Sequence, residues 1–367
     1  MENIEVNELL VDSFACTGCG AELKYKPGTQ NLHCEYCGTE NEIPQIEDEI
    51  IEQDYYAVLE SKSSSEPTTI ESFVKCESCG ASSTLEPNIT SAFCPYCSTP
   101  LILDHVHEEE VVIPQSILPF KLDKQQAKSE FKKWIDGLWF APGDLKKAVL
   151  SFDHFKGVYV PYRTFDADTV TQYVGQRGEY YYVNESYTTT ENGQTVTKTR
   201  RVQKIRWYPA SGTVSKFFDD ILTVSTKSLP EKYIDNLEPW DLQNLTPFDK
   251  KYVSGFITEK HNTELSHGFE RAKEKADEQI KILVQRDIGG DTQRILSLNS
   301  IYNDITFKHI HLPVYVSAFK FKDKLYQFLV NARTGEVQGE RPYSWIKIVM
   351  AVILGLIIIG TIFFFLK

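Results

Sequence analysis

Cys16-Thr17-Gly18-Cys19 and Cys34-Glu35-Tyr36-Cys37, fourteen residues apart, return as Cys76-Glu77-Ser78-Cys79 and Cys94-Pro95-Tyr96-Cys97 with the same spacer. Each cysteine of the second set lies 60 residues after its counterpart, so residues 14–43 and 74–103 are an internal repeat. Two residues between cysteines let one tight turn present both sulfurs to one ion. A spacer of this length can form a hairpin that returns the second pair to the same point. Four thiolates suit a tetrahedral structural zinc and leave no open position for a catalytic water. Cys16, Cys19, Cys34 and Cys37 are therefore expected to hold one Zn²⁺, and Cys76, Cys79, Cys94 and Cys97 a second. An iron centre of rubredoxin type is the alternative. Glycine follows Cys19, Cys37 and Cys79, where a turn with positive φ costs least; Ser98 takes that place after the fourth pair. A ribbon of this size buries too little surface to fold alone, so the metal supplies much of its stability, on the order of 10 kcal/mol.

Charge is polarised along the 367 residues. Residues 1–118 carry 22 acidic and 4 basic side chains, the rest 29 and 35. All eight cysteines fall in the acidic part. The segment Met1–Val11 is acidic and lacks the features of a secretory signal, so a reducing compartment is expected, where paired CxxC motifs bind metal. Thiolate zinc centres add further negative charge. Phosphate binding requires Lys and Arg, so nucleic acid is an unfavourable partner for the ribbons. A membrane-tethered nucleic-acid-binding factor is the rival reading, with the basic run Lys198–Arg206 beside Trp207 and Tyr208 as its best support. The dipeptide Gly-Lys is absent, which excludes a Walker-type phosphate loop. Asp166, Asp168, Asp219 and Asp220 form an acid/base set only if folding collects them. His33, His105 and His107 read as surface residues, and His309 and His311 as half-buried sheet residues without an evident carboxylate.

The pattern predicts an α+β multidomain chain: ribbon 1 over 1–45, an acidic and polar linker over 46–72, ribbon 2 over 73–110, a mixed α+β domain over 119–340 and a transmembrane helix over 346–366. The linker includes a short helix around Ile50–Leu59. Asp123 is expected to N-cap a helix with Gln126 at its third position. Strands fill 157–227 around a hairpin at Glu191–Gln194. Thr263–Gln285 shows apolar residues at intervals of three and four, ended by Gly289–Gly290. Further strands are expected at 303–310, 312–321 and 325–331. Residues 348–366 carry no charge and reach about 28 Å, close to the roughly 30 Å hydrocarbon thickness. Arg341, Tyr343, Trp345 and Lys347 flank them. The expected topology is single-pass in the cell membrane, inserted by its tail, with the N-terminal domains in the cytoplasm.

The ribbons, with LPFKLDKQQAKSEFKKWIDGLWFAP (118–142), GVYVPYRTFDAD (157–168), RWYPASG (206–212), DIGGDTQRI (287–295) and NARTGEVQGERP (331–342), resemble a bacterial family of transcription-factor-IIB-type double zinc-ribbon membrane proteins. Some members carry a replication or primosomal-helicase label. The resemblance implies zinc at all eight cysteines, no established catalytic residues, and a link to the phage-shock protein A envelope-stress system with an SPFH/band-7-like partner. It thus implies a non-enzymatic membrane adaptor. Arg163 stands where the family motif has Trp.

Overall fold

The β-branched and aromatic residues expected as strands from 157 to 227 form two very long ones. The computed structural model describes residues 14–45, 49–61, 66–84, 92–101, 106–144, 155–191, 193–321, 324–341 and 343–365. His105, Lys146, Lys147 and the segment Met1–Val11 lie outside the described residues. Ribbon 1 is a small antiparallel sheet of β1 (Lys24–Tyr25), β2 (Asn31–His33) and β3 (Glu40–Glu42). The second cysteine set lies on a sheet of order β6-β5-β7, from β5 (Thr68–Lys75), β6 (Ser82–Thr84) and β7 (Val106–Val112).

In the body, β9 (Lys156–Glu191) pairs antiparallel with β10 (Gln194–Val224) on one edge and β13 (Thr292–Phe321) on the other. β14 (Lys324–Asn331) and β15 (Val337–Gly339) extend the same sheet. The regions expected as separate strands at 303–310 and 312–321 are one strand, which also takes in 292–302. Pro313 does not end it, and an irregularity between Asn303 and Thr306 bends it without breaking it. A matching irregularity between Phe218 and Ile221 bends β10 at the same level of β9. Asp304 (φ 48°) and Asp220 (φ 53°) occupy the left-handed region there, where Asp is among the better-tolerated non-glycine residues.

Short strands pair with the stretches of β9 and β13 that the long ones leave open. β8 (Ser116–Ile117) runs parallel to β13 and pairs β11 (Thr246–Pro247), and β12 (Ile257–Thr258) runs parallel to β9. The stretch read as linker does more than connect. Its β4 (Gln53–Asp54) pairs with β13, and Asp54 caps the short helix α1 (Tyr55–Glu60). Tyr55 then packs on Phe269, ring centroids 4.8 Å apart. Apolar Tyr55, invisible as a core residue inside an acidic stretch, pulls this segment onto the sheet.

Among the helices, α2 (Lys124–Gly137) begins in the expected capping box of Asp123 and Gln126 and buries Ala127, Phe131 and Ile135. Two short helices follow, α3 (Glu231–Asp235) and α4 (Lys250–Val253). α5 (Leu265–Ile288) lies on β9, β10 and β13 through Phe269, Ala272, Ala276, Ile280 and Val284. Val284 and Ile288 continue its buried stripe, and Leu283 is half-buried. Gly289 (φ 67°) and Gly290 (φ 76°) then end it. Arg163 is buried and donates to the carbonyls of Thr263 (2.9 Å) and Glu264 (3.4 Å), bracing the entry to α5. α6 (Trp345–Phe365) is apolar, and none of its side chains is buried by the rest of the chain. Its 21 residues span about 31 Å, long enough to cross a bilayer.

Both cysteine sets dock on this body. Tyr25 of ribbon 1 sits against Tyr252 (5.3 Å between centroids), and its hydroxyl donates to the carbonyl of Phe120 (3.2 Å). Phe120 in turn stacks on Phe256 at 4.0 Å and meets Tyr159 and Tyr315 edge-on. Fully buried at this junction, Phe120 is expected to lose about 3–5 kcal/mol of stability on truncation to Ala. Chemical denaturation of Phe120→Ala, followed by tyrosine and tryptophan emission, checks this. A loss below about 1 kcal/mol would contradict the packing described.

Candidate metal centres

Each CxxC is closed by the same pair of backbone bonds. Cys16 N–H donates to Ala21 O (2.7 Å) and Gly20 N–H to Cys16 O (2.9 Å); Cys34, Cys76 and Cys94 repeat the pattern. The residue after the second cysteine must be left-handed: Gly20, Gly38 and Gly80 have φ of 76–78° and Ser98 has 58°. Serine at that place keeps the turn at a cost glycine avoids. Its hydroxyl meets the carbonyl of Ala318 in β13, which ties the knuckle to the sheet.

The turns bring four sulfurs together twice, every atom of a set within 4.8 Å of the others. Cys16–Cys37 and Cys19–Cys34 sulfurs are 3.5 and 3.6 Å apart, and Cys76–Cys97 and Cys79–Cys94 repeat those distances. A tetrahedron with Zn–S bonds of about 2.3 Å has edges of about 3.8 Å. Both clusters therefore fit a four-thiolate ion, and two zinc ions could bind. All eight cysteines singled out by spacing fall in these two groups. Outer contacts repeat too: Thr39 Oγ1 lies 3.1 Å from Cys37 Sγ, and Thr99 Oγ1 lies 3.2 Å from Cys97 Sγ.

Without an ion, thiols this close share protons unevenly. Hydrogen bonds from Thr39 pull Cys37 down to about 6. The contact with Cys94 pulls Cys79 down to about 5, and Cys79 in return pushes Cys94 far up. A divalent ion replaces those shared protons and lets all four sulfurs ionise.

The two knuckle tyrosines, equivalent in the repeat, have opposite surroundings. Tyr96 is 0% exposed and donates to Glu259 Oε2 at 2.7 Å. Glu259 also accepts from the hydroxyls of Thr226 and Ser228. Burial pushes this carboxyl up to about 7. Gln327 Nε2 donates to Tyr96 O (2.6 Å), and Thr258 N–H to Thr84 Oγ1 (2.8 Å). Ribbon 2 is thus keyed into the body. Tyr36, its counterpart in ribbon 1, is 86% exposed.

Folding also gathers polar groups that lie far apart in sequence. His309, read as lacking a carboxylate, has one: its Nε2 lies 2.8 Å from Glu66 Oε1, and its Nδ1 lies 3.3 Å from His261 Nδ1. Burial lowers the affinity of all three histidines for protons, His311 to about 4. Of the four scattered aspartates, Asp166 and Asp220 join Glu52, while Asp168 and Asp219 stay exposed. Lys308 Nζ already fills that cluster, 2.8 Å from both Glu52 and Asp220. Burial beside Glu52 lifts Asp166 to about 7. The basic run on β10 is engaged within its own hairpin: Arg201 lies over Tyr182, Arg206 over Tyr181, and Lys204 pairs with Glu185. His107 sits at the surface beside Glu109.

Two four-cysteine clusters, a mixed α+β body and a C-terminal apolar helix fit a membrane-anchored zinc-ribbon protein. The chain is similar to the uncharacterized protein YdjG of Bacillus subtilis (strain 168), 25% identical over 340 residues and 91% of each chain. No family model matches it, and no solved structure does.

Metal analysis of the purified chain is expected to give two zinc ions, falling to one in Cys37→Ser or Cys97→Ser. Retention of two in either variant would contradict four-sulfur ligation. The raised carboxyl of Glu259 makes a separate prediction. Its folded form holds a proton that the unfolded chain releases near pH 4.5, so its stabilising effect is lost as pH rises through about 7. Glu259→Gln should flatten the fall in Tm between pH 5 and 8; an unchanged slope would contradict this assignment.

Proposed function

We propose that the chain is a non-enzymatic membrane adaptor: α6 anchors it, the body orients the ribbons, and the exposed knuckle of ribbon 1 receives a protein partner. The observation that carries this reading is the unequal fate of Tyr36 and Tyr96. In the second ribbon this tyrosine fills an apolar socket of the chain's own body and reaches a carboxylate, an intramolecular parallel for the contact proposed here. The first ribbon presents the same side chain to solvent beside the exposed Glu35. Tyrosine is a preferred anchor at interfaces, because it offers large area and a polar tip at low entropic cost.

The acidic character of residues 1–118 supports a protein partner over a nucleic acid, since phosphates repel it. The engaged arginines and lysine of the β9–β10 hairpin support the same choice. Lys308, paired with the half-buried Glu52 and Asp220 beside the buried Asp166, supports a structural rather than catalytic role for these carboxylates. The proposed location is a cell membrane, with the ribbons on the cytoplasmic side, where a reducing environment keeps the thiols available for metal. The resemblance to double zinc-ribbon membrane proteins makes a phage-shock protein A system with an SPFH/band-7-like protein the proposed partner class, in an envelope-stress response.

Removing residues 1–110 would strip Tyr25, Phe73 and Tyr96 from buried positions and damage the body, so a point variant is the cleaner test. Full-length protein extracted in mild detergent should recover the phage-shock or band-7-type partner, and Tyr36→Ala should reduce that recovery at least about tenfold. Zinc content should stay unchanged. Equal recovery by the variant would reject the exposed knuckle as the docking point.

A further inference from the structure

The loop after α2 and the base of α6 are bound to each other. Ser344 N–H donates to Phe140 O at 2.7 Å. Lys347 Nζ, in the first turn of α6, donates to Trp139 O (3.1 Å) and Ala141 O (2.7 Å). Three contacts therefore hold the chain at 139–141 level with the first turn of the apolar helix. Ala141 is buried and Trp134 packs inward against Phe131 and Phe328, so the loop has a fixed inner side. Its outer side carries Trp139, 80% exposed, and Phe140. Tyr343 and Trp345 are exposed beside them in sequence with α6.

We infer that Trp139 and Phe140 form a second membrane contact, an interfacial wedge beside the spanning helix that sits in the headgroup layer. The inference rests on the reading of α6 as a membrane anchor and adds what that reading lacks, a fixed orientation for the body. A single helix alone lets a cytoplasmic body swivel. A loop fastened to the helix base and inserted beside it removes that freedom.

Lipid is the occupant that the observations favour. The wedge is fastened to the base of α6, whose apolar surface none of the described residues buries. Indole rings, with an apolar body and one N–H, prefer the membrane–water boundary. Lys347 adds a cation at the same depth, where its ammonium is held by loop carbonyls instead of being buried unpaired. Arg341, over the ring of Trp134 at 5.8 Å, adds another near the same surface.

The test uses the full chain in nanodiscs of phosphatidylcholine brominated at acyl carbons near the headgroup, with tryptophan quenching as the readout. Trp139→Phe and Trp345→Phe are compared with the unaltered chain, and zinc content confirms folding. Trp139→Phe should remove bromine-quenchable emission to within about twofold of the loss in Trp345→Phe. Shallow bromines should quench that component more than deep ones. Loss in Trp345→Phe without loss in Trp139→Phe would overturn the wedge and leave the anchor standing. No bromine quenching in any of the three proteins would overturn both.

Discussion

Four sulfurs held at tetrahedral spacing are the constraint on which each ribbon depends, and through the ribbons much of the body. A sheet of two- and three-residue strands such as β1–β3 has almost no interior of its own. An ion at the knuckles would make the hairpin between them rigid enough to offer side chains to a neighbour. Tyr25, Leu32 and Cys34 then join the cluster around Phe120, while Cys76, Ala81 and Tyr96 join the one around Val160 and Ile310. The ribbons complete two separate cores. They are parts of the body as much as appendages to it.

The long central strand β9 is what makes two docking faces possible. Paired along both edges, it carries Tyr159 toward the ribbon 1 cluster and Val158, Val160 and Tyr162 toward the ribbon 2 cluster. Alternation of side chains across one strand thus separates the two ribbons. Farther along, Phe165 and Tyr173 meet α5. The bends at Asp220 and Asp304 fall opposite Asp166 and Ala167, between Phe165 and Tyr173. Burying Asp166 and Lys308 beside the half-buried Glu52 is costly unless the charges are paired, and the bend brings them into reach of one another.

What was legible in the sequence was local. Cysteine spacing, the glycine after each pair, the Asp123 capping box and the stripe of α5 depend on residues within a few turns of each other. Even Ser98 followed from the glycines whose place it takes. The 60-residue repeat, however, said nothing of the difference between Tyr36 and Tyr96, because that difference lies in Glu259, 163 residues away from Tyr96. Glu66 and His309 are 243 residues apart, and Glu52 and Lys308 are 256 apart. Pairings across such distances are set by the sheet register, which one sequence does not specify. The segment carrying Glu52 and Tyr55 looked like linker because its acidic residues outnumber the aromatic ones that fix it.

Hydrogen–deuterium exchange on the full-length protein in detergent, before and after zinc is stripped with a chelator, tests the dependence of the body on the metal centres most directly. The informative amides lie far from any cysteine: Thr258, which donates to Thr84 of ribbon 2, and Ser228, which leans on Thr226 beside Glu259. The account predicts that these amides, together with Tyr25, which donates to Ser254, lose protection when zinc leaves, while the β9–β13 ladder stays protected. Unchanged protection at those body positions after complete zinc loss would contradict it.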